Sequence, residues 1–144
     1  MIAVDSNLLI YAHRVDSPWH TSAFELVRSL AEGRPAWAIP WPCLHEFLAV
    51  ATHPRIYQPP SPVEQTLRQV DAWLGSPSLV LLGEGPVYWP RLRQAISVAK
   101  ATGGRVHDAR IAALCLEHRV SELWSADRDL GRFAGLKVRN PLMA

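Results

Sequence analysis

Apolar and polar residues follow one another along this chain in blocks that predict short strands separated by helices. Runs with little polar character predict strands at residues 1–4, 36–39, 79–82, 122–124 and 136–138. Between them, apolar residues recur three or four positions apart, which is typical of helices with one buried face. Strands that alternate with helices in this way indicate an α/β fold, with a parallel sheet covered by helices on both faces.

The predicted helices are separated by glycine and proline. A helix follows the first strand directly over residues 6–11, and 106–117 is a strongly apolar helix. Four further helices are predicted from the stripes Ala23, Val27 and Leu30; Leu44, Phe47, Leu48 and Ala51; Val63, Leu67, Val70 and Leu74; and Trp89, Leu92, Ile96 and Ala99. The proline-rich segment 53–62 predicts a loop. Gly103-Gly104 predicts the end of the helix before it.

Four acidic residues stand where a predicted strand ends or a helix begins. Asp5 ends the first strand, and Asp127 lies just beyond the fourth. Glu46 falls in the early turns of the helix after the second strand, and Asp108 begins the helix that leads to the fourth. The C-terminal ends of parallel strands and the N-terminal ends of the following helices share one edge of a sheet. We therefore expect these four side chains to lie at that edge, where open α/β sheets bind their ligands.

Each acid taken alone also fits a simpler role, because Asp is a favoured helix N-cap and acids near a helix start interact well with its dipole. Glu46 fits that role less well, since it follows the predicted helix start by several residues. Asp108 shares a helical face with Ala112 and Cys115, and a buried carboxylate without a partner is costly. Several carboxylates in one pocket repel, which raises the pKa of at least one, and a hard divalent cation relieves the conflict. The joint arrangement favours a metal site.

Composition and charge place the chain among globular proteins. At 144 residues, with 49% apolar and 19% charged residues, we expect a single domain over 1–144. No apolar run is long enough to cross a membrane, so no membrane association is expected. The net charge of +2 is small, but 13 of the 15 basic residues are Arg, which suits phosphate contacts. Cys43 and Cys115 have no metal or redox spacing, and with no basic leader they predict a cytoplasmic protein.

Other motifs exclude several enzyme classes. The six His show no zinc-like spacing, and neither a nucleophile elbow nor a phosphate-binding glycine loop is present. Serine hydrolases and nucleotide triphosphatases are therefore excluded. Among the tryptophans, the helix and strand stripes predict that Trp37, Trp73, Trp89 and Trp124 are core residues. Trp19 and Trp41 lie beside proline at helix starts, so one of them is a candidate for exposure at an interface or on a bound ligand.

With these residues in place, the chain resembles the PIN-domain nucleases, and among them the VapC-type toxins of bacterial toxin–antitoxin pairs. The resemblance runs along nearly the whole chain. It is carried by Ile-Ala-Val-Asp-Ser-Asn at 2–7, His-Glu-Phe at 45–47, Val-His-Asp-Ala-Arg-Ile-Ala-Ala at 106–113, Ser-Ala-Asp-Arg-Asp-Leu at 125–130 and Asn-Pro-Leu at 140–142. Each motif alone is short, but four acidic motifs in order at these intervals are fairly specific.

The resemblance implies a three-layer α/β/α sandwich with a parallel five-stranded sheet in the order 3-2-1-4-5. It also implies a homodimer and a small VapB-like antitoxin protein that blocks the acidic pocket. Asp5, Glu46, Asp108 and Asp127 would be the catalytic residues and would bind Mg²⁺, with Mn²⁺ as an alternative and one or two ions as open possibilities.

The resemblance further implies that Asn7 and Ser125 orient the carboxylates by hydrogen bonds. Asp129 is either a further ligand or part of a helix start, and we favour the helix start. Leu130 stands where the family usually has Phe, and Ser6 where Thr is common. These two departures concern packing rather than catalysis.

The function expected from the resemblance is a metal-dependent endoribonuclease that acts as a toxin. Attack by water rather than by the 2′-hydroxyl would leave 5′-phosphate and 3′-hydroxyl ends, on single-stranded or looped RNA. Arg14, Arg55, Arg110 and Arg128 are candidates for holding the RNA backbone. Three alternatives remain open: an RNA-processing nuclease of the same fold, a noncatalytic binding module whose acids are caps, and a phosphatase built on Asp5. The last is disfavoured because the segment 5–7 lacks a second Asp.

Overall fold

The computed structural model describes residues 1–143, and within them five parallel strands form one sheet flanked by six α-helices. The strands are β1 (Ile2–Val4), β2 (Trp37–Pro40), β3 (Leu79–Leu82), β4 (Glu122–Trp124) and β5 (Val138–Arg139). The helices are α1 (Ser6–His13), α2 (His20–Glu32), α3 (Trp41–Ala51), α4 (Val63–Leu74), α5 (Tyr88–Ala99) and α6 (Arg105–Glu117), with a 3₁₀ helix at Arg128–Arg132. The sheet order β3-β2-β1-β4-β5 confirms the predicted fold class and strand order.

Strand β5 begins two residues later than predicted. Leu136 was expected in the strand, but its amide bonds the carbonyl of Phe133 at 3.3 Å and closes a turn. Gly135, with a φ of +83°, takes the left-handed conformation that this turn requires. Leu136 is apolar because its side chain is buried against the core, and not because it belongs to the strand.

Helix α5 ends earlier than the glycine pair predicted. Its last helical residue is Ala99, and Lys100 takes the left-handed conformation with a φ of 52°. The amide of Ala101 then closes on the carbonyl of Ile96 at 3.0 Å, and the Ala101 side chain is buried. Gly104 instead precedes α6 as its N-cap residue. Burial of Ala101 fixes this chain reversal without a glycine.

The core lies on both faces of the sheet, and it includes two of the four tryptophans predicted there. Trp37 is fully buried in β2, and Trp73 packs edge-on against Phe47 with ring centroids 4.8 Å apart. Trp124 is only partly buried. Trp89 is 61% exposed, so its predicted place in the core is wrong. Helix α5 faces inward through Ala95, which leaves Trp89 on its outer side.

The predicted stripe of α4 does not coincide with its buried face. Val63, Leu67 and Leu74 are exposed, whereas Thr66 and Trp73 are the buried residues of this helix. The Thr66 hydroxyl donates to the Val63 carbonyl at 2.7 Å, which satisfies its polar group inside the fold. None of the helices in residues 1–143 combines the length and apolar character needed to cross a bilayer.

The fold brings the ends of β1 and β4 side by side. Val4 pairs with Trp124 in the parallel ladder, and the amide of Asp5 donates to the Trp124 carbonyl at 3.0 Å. Helix α1 begins immediately after Asp5, at Ser6. Asp5 and the segment after Trp124 are therefore neighbours at the C-terminal edge of the sheet, as the parallel arrangement predicted.

Candidate active site

Asp5 is almost completely buried, and its carboxylate accepts hydrogen bonds from five donors. As the N-cap of α1, it accepts from the Ser6 amide at 2.7 Å and from the Ser6 hydroxyl at 3.4 Å, both on Oδ1. Its Oδ2 accepts from the Ser125 hydroxyl at 2.7 Å and from Asn7 Nδ2 at 3.4 Å. These contacts fix the orientation of the carboxylate, and none of the donors is a positively charged side chain. Capping, the simpler role weighed for this residue, therefore accounts for only part of its environment.

Ser125 and Asn7 connect the end of β1 to the segment that carries Asp127. The Ser125 hydroxyl accepts from the Asp127 amide at 2.9 Å while it donates to Asp5. Asn7 Nδ2 donates to the Ser125 hydroxyl at 3.2 Å, and Asn7 Oδ1 accepts from the Ala126 amide at 3.1 Å. The structure thus brings together four of the predicted site residues in one hydrogen-bond network.

The fifth donor to Asp5 is the thiol of Cys43, which sequence reasoning missed. Cys43 lies on the inward face of α3, fully buried, and its Sγ is 3.4 Å from Asp5 Oδ1. Burial, followed by the charge of Asp5, raises the pKa of this thiol well above its ordinary value, so it carries the proton that it donates. The only sequence signal was its place three residues before Glu46, and that spacing does not predict a contact with Asp5.

Glu46 and Asp108 lie on α3 and α6, and the charges of the other acids act on both. Desolvation by neighbouring protein and then the charge of Asp5 raise the pKa of Glu46, although its side chain reaches solvent. Desolvation and then the charge of Asp127 raise the pKa of Asp108, with Asp5 adding to the effect and Arg105 opposing it. The four carboxylates therefore share one electrostatic environment, as their placement at one edge predicted.

Asp129 differs from these four because arginines neutralise it. Its Oδ2 lies 3.8 Å from an Arg105 nitrogen, and its Oδ1 lies 3.4 Å from one of Arg132. Its amide donates to Asp127 Oδ1 at 2.9 Å, so Asp127 caps the 3₁₀ helix. In contrast, none of the four candidate ligands makes an ion pair within residues 1–143. The geometry favours the helix-start role for Asp129.

The donor set suits a hard divalent cation, although the side chains do not yet form a cage. Asp5, Glu46, Asp108 and Asp127 offer carboxylate oxygens alone, which Mg²⁺ and Mn²⁺ prefer. Across residues 1–143, however, no three His, Cys, Asp or Glu side chains converge closely enough to hold an ion as they stand. Repulsion between unpaired anions opposes their closer approach. The four residues share a site chemically compatible with a cation, and their role as ligands stays a prediction.

Neutralising Asp108 is expected to stabilise the metal-free protein. Since its pKa is raised in the folded state, the folded protein binds this proton more tightly than the unfolded chain does. The group therefore destabilises the fold near neutral pH and stops doing so as the pH falls through its folded pKa. Asp108→Asn should raise the free energy of unfolding by about 0.2–1 kcal/mol near pH 7, a modest gain because solvent screens a half-exposed charge.

Urea denaturation of the metal-free wild type and the Asp108→Asn variant at several pH values would measure this difference. The difference should shrink toward about pH 4, where protonation neutralises the wild-type carboxyl too. Glu64→Gln, which removes an exposed acid in the first turn of α4, is the matched control and should not raise stability at any pH, because the helix dipole favours a negative charge there. A loss of stability in Asp108→Asn at neutral pH would show that the carboxylate is favourably paired in the fold.

The candidate RNA-binding arginines have different environments. Arg14 is committed to the fold: it bonds Asp16 at 2.6 Å and the Ser61 hydroxyl at 3.1 Å, and it lies over the Tyr57 ring at 4.3 Å. Arg110 is partly exposed, with one guanidinium nitrogen 3.9 Å from Glu84. Arg55 and Arg128 are less committed, since neither makes an ion pair within residues 1–143. Arg14 is thereby removed from the candidates, whereas the other three stay available to a ligand.

Comparison with known protein families gives a match along most of the chain. The PIN domain family matches residues 2–136. VapC ribonuclease Mb2897 of Mycobacterium bovis is 36% identical over 142 residues, covering 99% of this chain and 96% of that protein. Ribonuclease VapC48 of Mycobacterium tuberculosis is 31% identical over 137 residues, covering 95% of this chain and 94% of its own length. The match to these relatives is therefore essentially end to end.

Solved structures share the fold at lower sequence identity. VapBC2 from Rickettsia felis, crystallised with a DNA fragment from its promoter, superimposes with a TM-score of 0.65 at 19% identity, covering 96% of this chain and 98% of the other. Mycobacterium tuberculosis VapC20, a toxin that cleaves the sarcin–ricin loop, has a TM-score of 0.68 at 13% identity, with coverage of 94% and 96%. At these identities the similarity supports the fold alone.

Proposed function

Because the chain belongs to the PIN-domain family, and within it to the VapC ribonucleases, we propose that it is a metal-dependent endoribonuclease and the toxin of a toxin–antitoxin pair. The observation that carries this proposal is the group of four carboxylates at the C-terminal edge of the sheet. Two of them, Glu46 and Asp108, have raised pKa values because desolvation, and then repulsion from the other acids, disfavours their charged forms. Such a group is unfavourable until a cation joins it.

Asp5, Glu46, Asp108 and Asp127 would hold Mg²⁺, with Mn²⁺ as a substitute. Bound there, the ion supplies a water of lowered pKa and neutralises charge on the scissile phosphate. The residues around Asp5 have a separate role, since Ser125, Asn7 and the Cys43 thiol keep its carboxylate in one orientation. Preorganisation of this kind avoids rearrangement when the substrate arrives.

The expected products carry 5′-phosphate and 3′-hydroxyl ends, because water rather than the ribose 2′-hydroxyl attacks phosphorus. Arg55, Arg128 and the partly exposed Arg110 provide positive charge for the RNA backbone. Single-stranded or looped RNA is the favoured substrate class, since its bases are accessible to side chains.

We also propose the partners and setting that the family resemblance implied. A small VapB-like antitoxin would occlude the carboxylates, and a second copy of the chain would complete a homodimer. The described residues include exposed apolar side chains that such contacts would cover, among them Val63, Leu67 and Val98. The activity would reside in the cytoplasm, where Cys43 and Cys115 would stay reduced, within a single domain over 1–144.

Incubation of the purified chain with single-stranded RNA of mixed sequence tests the activity. Cleavage is expected with Mg²⁺ or Mn²⁺, and a chelator should abolish it. The products should accept ligation through their 5′-phosphates. Products ending in 2′,3′-cyclic phosphate, or cleavage that persists with chelator, would contradict the proposed chemistry.

The toxin role is tested separately from the chemistry. Induced expression in bacteria should arrest growth, and co-expression of a small DNA-binding protein encoded beside this gene should restore it. Cleavage without growth arrest would favour the alternative of an RNA-processing nuclease. A chain that binds RNA but never cleaves it would favour the noncatalytic binding module.

A further inference from the structure

A cavity of about 260 Å³ lies where α3, the end of β3 and α6 meet. Its walls come from the first turns of α3, from the segment after β3 and from the middle of α6; they include Trp41, His45, Gly83, Glu84, Arg110 and Leu114. The volume is just below the range of about 300–1,000 Å³ typical of pockets for larger ligands. The cavity therefore suits one planar ring system.

Trp41 forms the aromatic wall of this cavity. It is the first residue of α3 and is 41% exposed, unusual for so large an apolar side chain. The His45 ring lies one turn further along α3, with its centroid 6.1 Å from that of Trp41 and its plane tilted by 32°. Trp19, the other tryptophan predicted to be accessible, instead packs on Tyr11 at 4.9 Å. Trp41 is thus the tryptophan of this pair whose exposed ring faces a cavity.

A second wall of the cavity, beside Trp41, is fixed by hydrogen bonds. The Gly83 carbonyl bonds His118 Nε2 at 2.8 Å, and a side chain at Gly83 would approach the Trp41 indole to 3.6 Å. The Glu117 carboxylate, with only 5% of its side chain exposed, accepts from the amides of Gly85 and Val87 at 2.9 and 3.1 Å. Because these bonds hold residues 83–87, the cavity is largely formed before any ligand binds.

Arg110 supplies positive charge at the same cavity. Its guanidinium lies 3.9 Å from Glu84, and both side chains are more than one-third exposed. A pair of this kind is weak in water, so an incoming phosphate can replace Glu84 as the partner of Arg110. An exposed aromatic face with a guanidinium nearby is the combination that binds unpaired nucleotides in proteins specific for single strands.

The cavity shares helices α3 and α6 with two of the candidate metal ligands. Glu46 follows His45 in α3, and Asp108 precedes Arg110 by two residues in α6. We propose that this cavity binds one unpaired base of the RNA substrate, stacked on Trp41, with Arg110 on the adjoining phosphate. The inference rests on the proposed ribonuclease function and adds to it a site that holds one base beside the cut, because stacking tolerates any base.

The test compares wild type and Trp41→Ala on a cleaved single-stranded RNA and on copies with one abasic nucleotide at successive positions near the cut. At one position, the abasic change should lower wild-type kcat/KM by between about fivefold and 150-fold, the range for loss of one base–aromatic stack. Trp41→Ala should show a similar loss on intact RNA and little further loss on that abasic RNA. Trp41→Phe should retain most of the wild-type difference in kcat/KM between intact and abasic RNA.

Trp89→Ala is the matched control, because it removes an exposed tryptophan of α5 that is not among the residues lining the cavity. This variant should cleave intact and abasic RNA as wild type does. If Trp41→Ala instead lowers cleavage of every RNA by the same factor, the base site is overturned. It is likewise overturned if Trp41→Ala weakens only antitoxin binding and leaves the difference in cleavage between intact and abasic RNA unchanged.

Photocrosslinking separates this inference from the proposed function. Single-stranded RNA containing 4-thiouridine, irradiated with the wild-type chain in the absence of metal, should crosslink to the peptide that contains Trp41, as mass spectrometry would show. A crosslink at Trp41 in a protein that never cleaves RNA would retain the base site and reject the nuclease. Cleavage by a protein whose crosslinks avoid Trp41, His45 and Arg110 would do the reverse.

Discussion

Replacing Glu46 with glutamine is expected to lower metal-dependent RNA cleavage by about a thousandfold or more. The reason is that metal-ion catalysis contributes several kcal/mol, and each 1.36 kcal/mol is about a tenfold change in rate. Glu46 is already repelled by the charge of Asp5, in addition to its desolvation, and Gln keeps its shape while removing the charge that would bind the cation. Single-turnover cleavage of a labelled RNA at saturating Mg²⁺ measures the effect.

Asp129→Asn is the matched control, since it removes an acid at the same edge of the sheet. Asp129 is paired with Arg105 and Arg132, so this variant should retain cleavage within about fivefold, the scale of a surface ion pair. Circular dichroism should show that both variants are folded. Full activity in Glu46→Gln would remove this residue from the site, and equal losses in both variants would leave the ligand assignment without support.

Binding of Mg²⁺ or Mn²⁺ is expected to raise the melting temperature, and Asp5→Asn should largely abolish the rise. A cation that binds only the folded state stabilises it by about 2.7 kcal/mol at a hundredfold excess over its Kd. For a domain of this size, that corresponds to roughly 5–10 °C. The rise should come from relief of repulsion at Glu46 and Asp108 as well as from the new bonds.

Thermal denaturation with increasing metal concentration measures this rise, with Ca²⁺-free buffer and chelator as the baseline. Glu64→Gln is the control, because it removes a carboxylate on α4 that belongs to no part of the site. It should respond to metal as wild type does. An identical rise in Asp5→Asn would indicate that the cation binds elsewhere on the molecule.

The two stability predictions have opposite signs for one physical reason. Without metal, the carboxylates at the edge of the sheet repel, so Asp108→Asn should gain stability. With metal bound, the same charges become favourable, so Asp108→Asn should be less stable than the wild type. This reversal is a signature of a functional site, where residues suit the ligand rather than the fold alone.

The backbone positions of the four acids could be predicted from the sequence because they depend on strand ends and helix starts. Asp5 and Asp127 follow strands that are adjacent in the sheet. The contact of Cys43 with Asp5 could not be predicted in this way, since it depends on the rotation and tilt of α3 against β1. Periodicity locates the inward face of a helix but does not say which atom of that face meets which partner.

Exposure was the least predictable property, as Trp89 and the α4 stripe show. An apolar stripe indicates that a helix has a face to cover, but the covering element can lie outside the chain. Val63, Leu67 and Leu74 are exposed on α4, while a threonine takes a buried position. In the same way, the end of α5 at Lys100 depends on burial of Ala101, a tertiary effect that a local glycine signal does not contain.

The Ser125 hydroxyl joins residues that are 120 positions apart, and this separation has a consequence for synthesis of the protein. Translation produces Asp5 long before Ser125 and Asp127 are added to the chain. Nascent chains that stop short of Ser125 lack the shortest side-chain hydrogen bond to Asp5 and one of the four carboxylates. The four carboxylates can therefore meet only after the segment with Asp127 has left the exit tunnel of the ribosome.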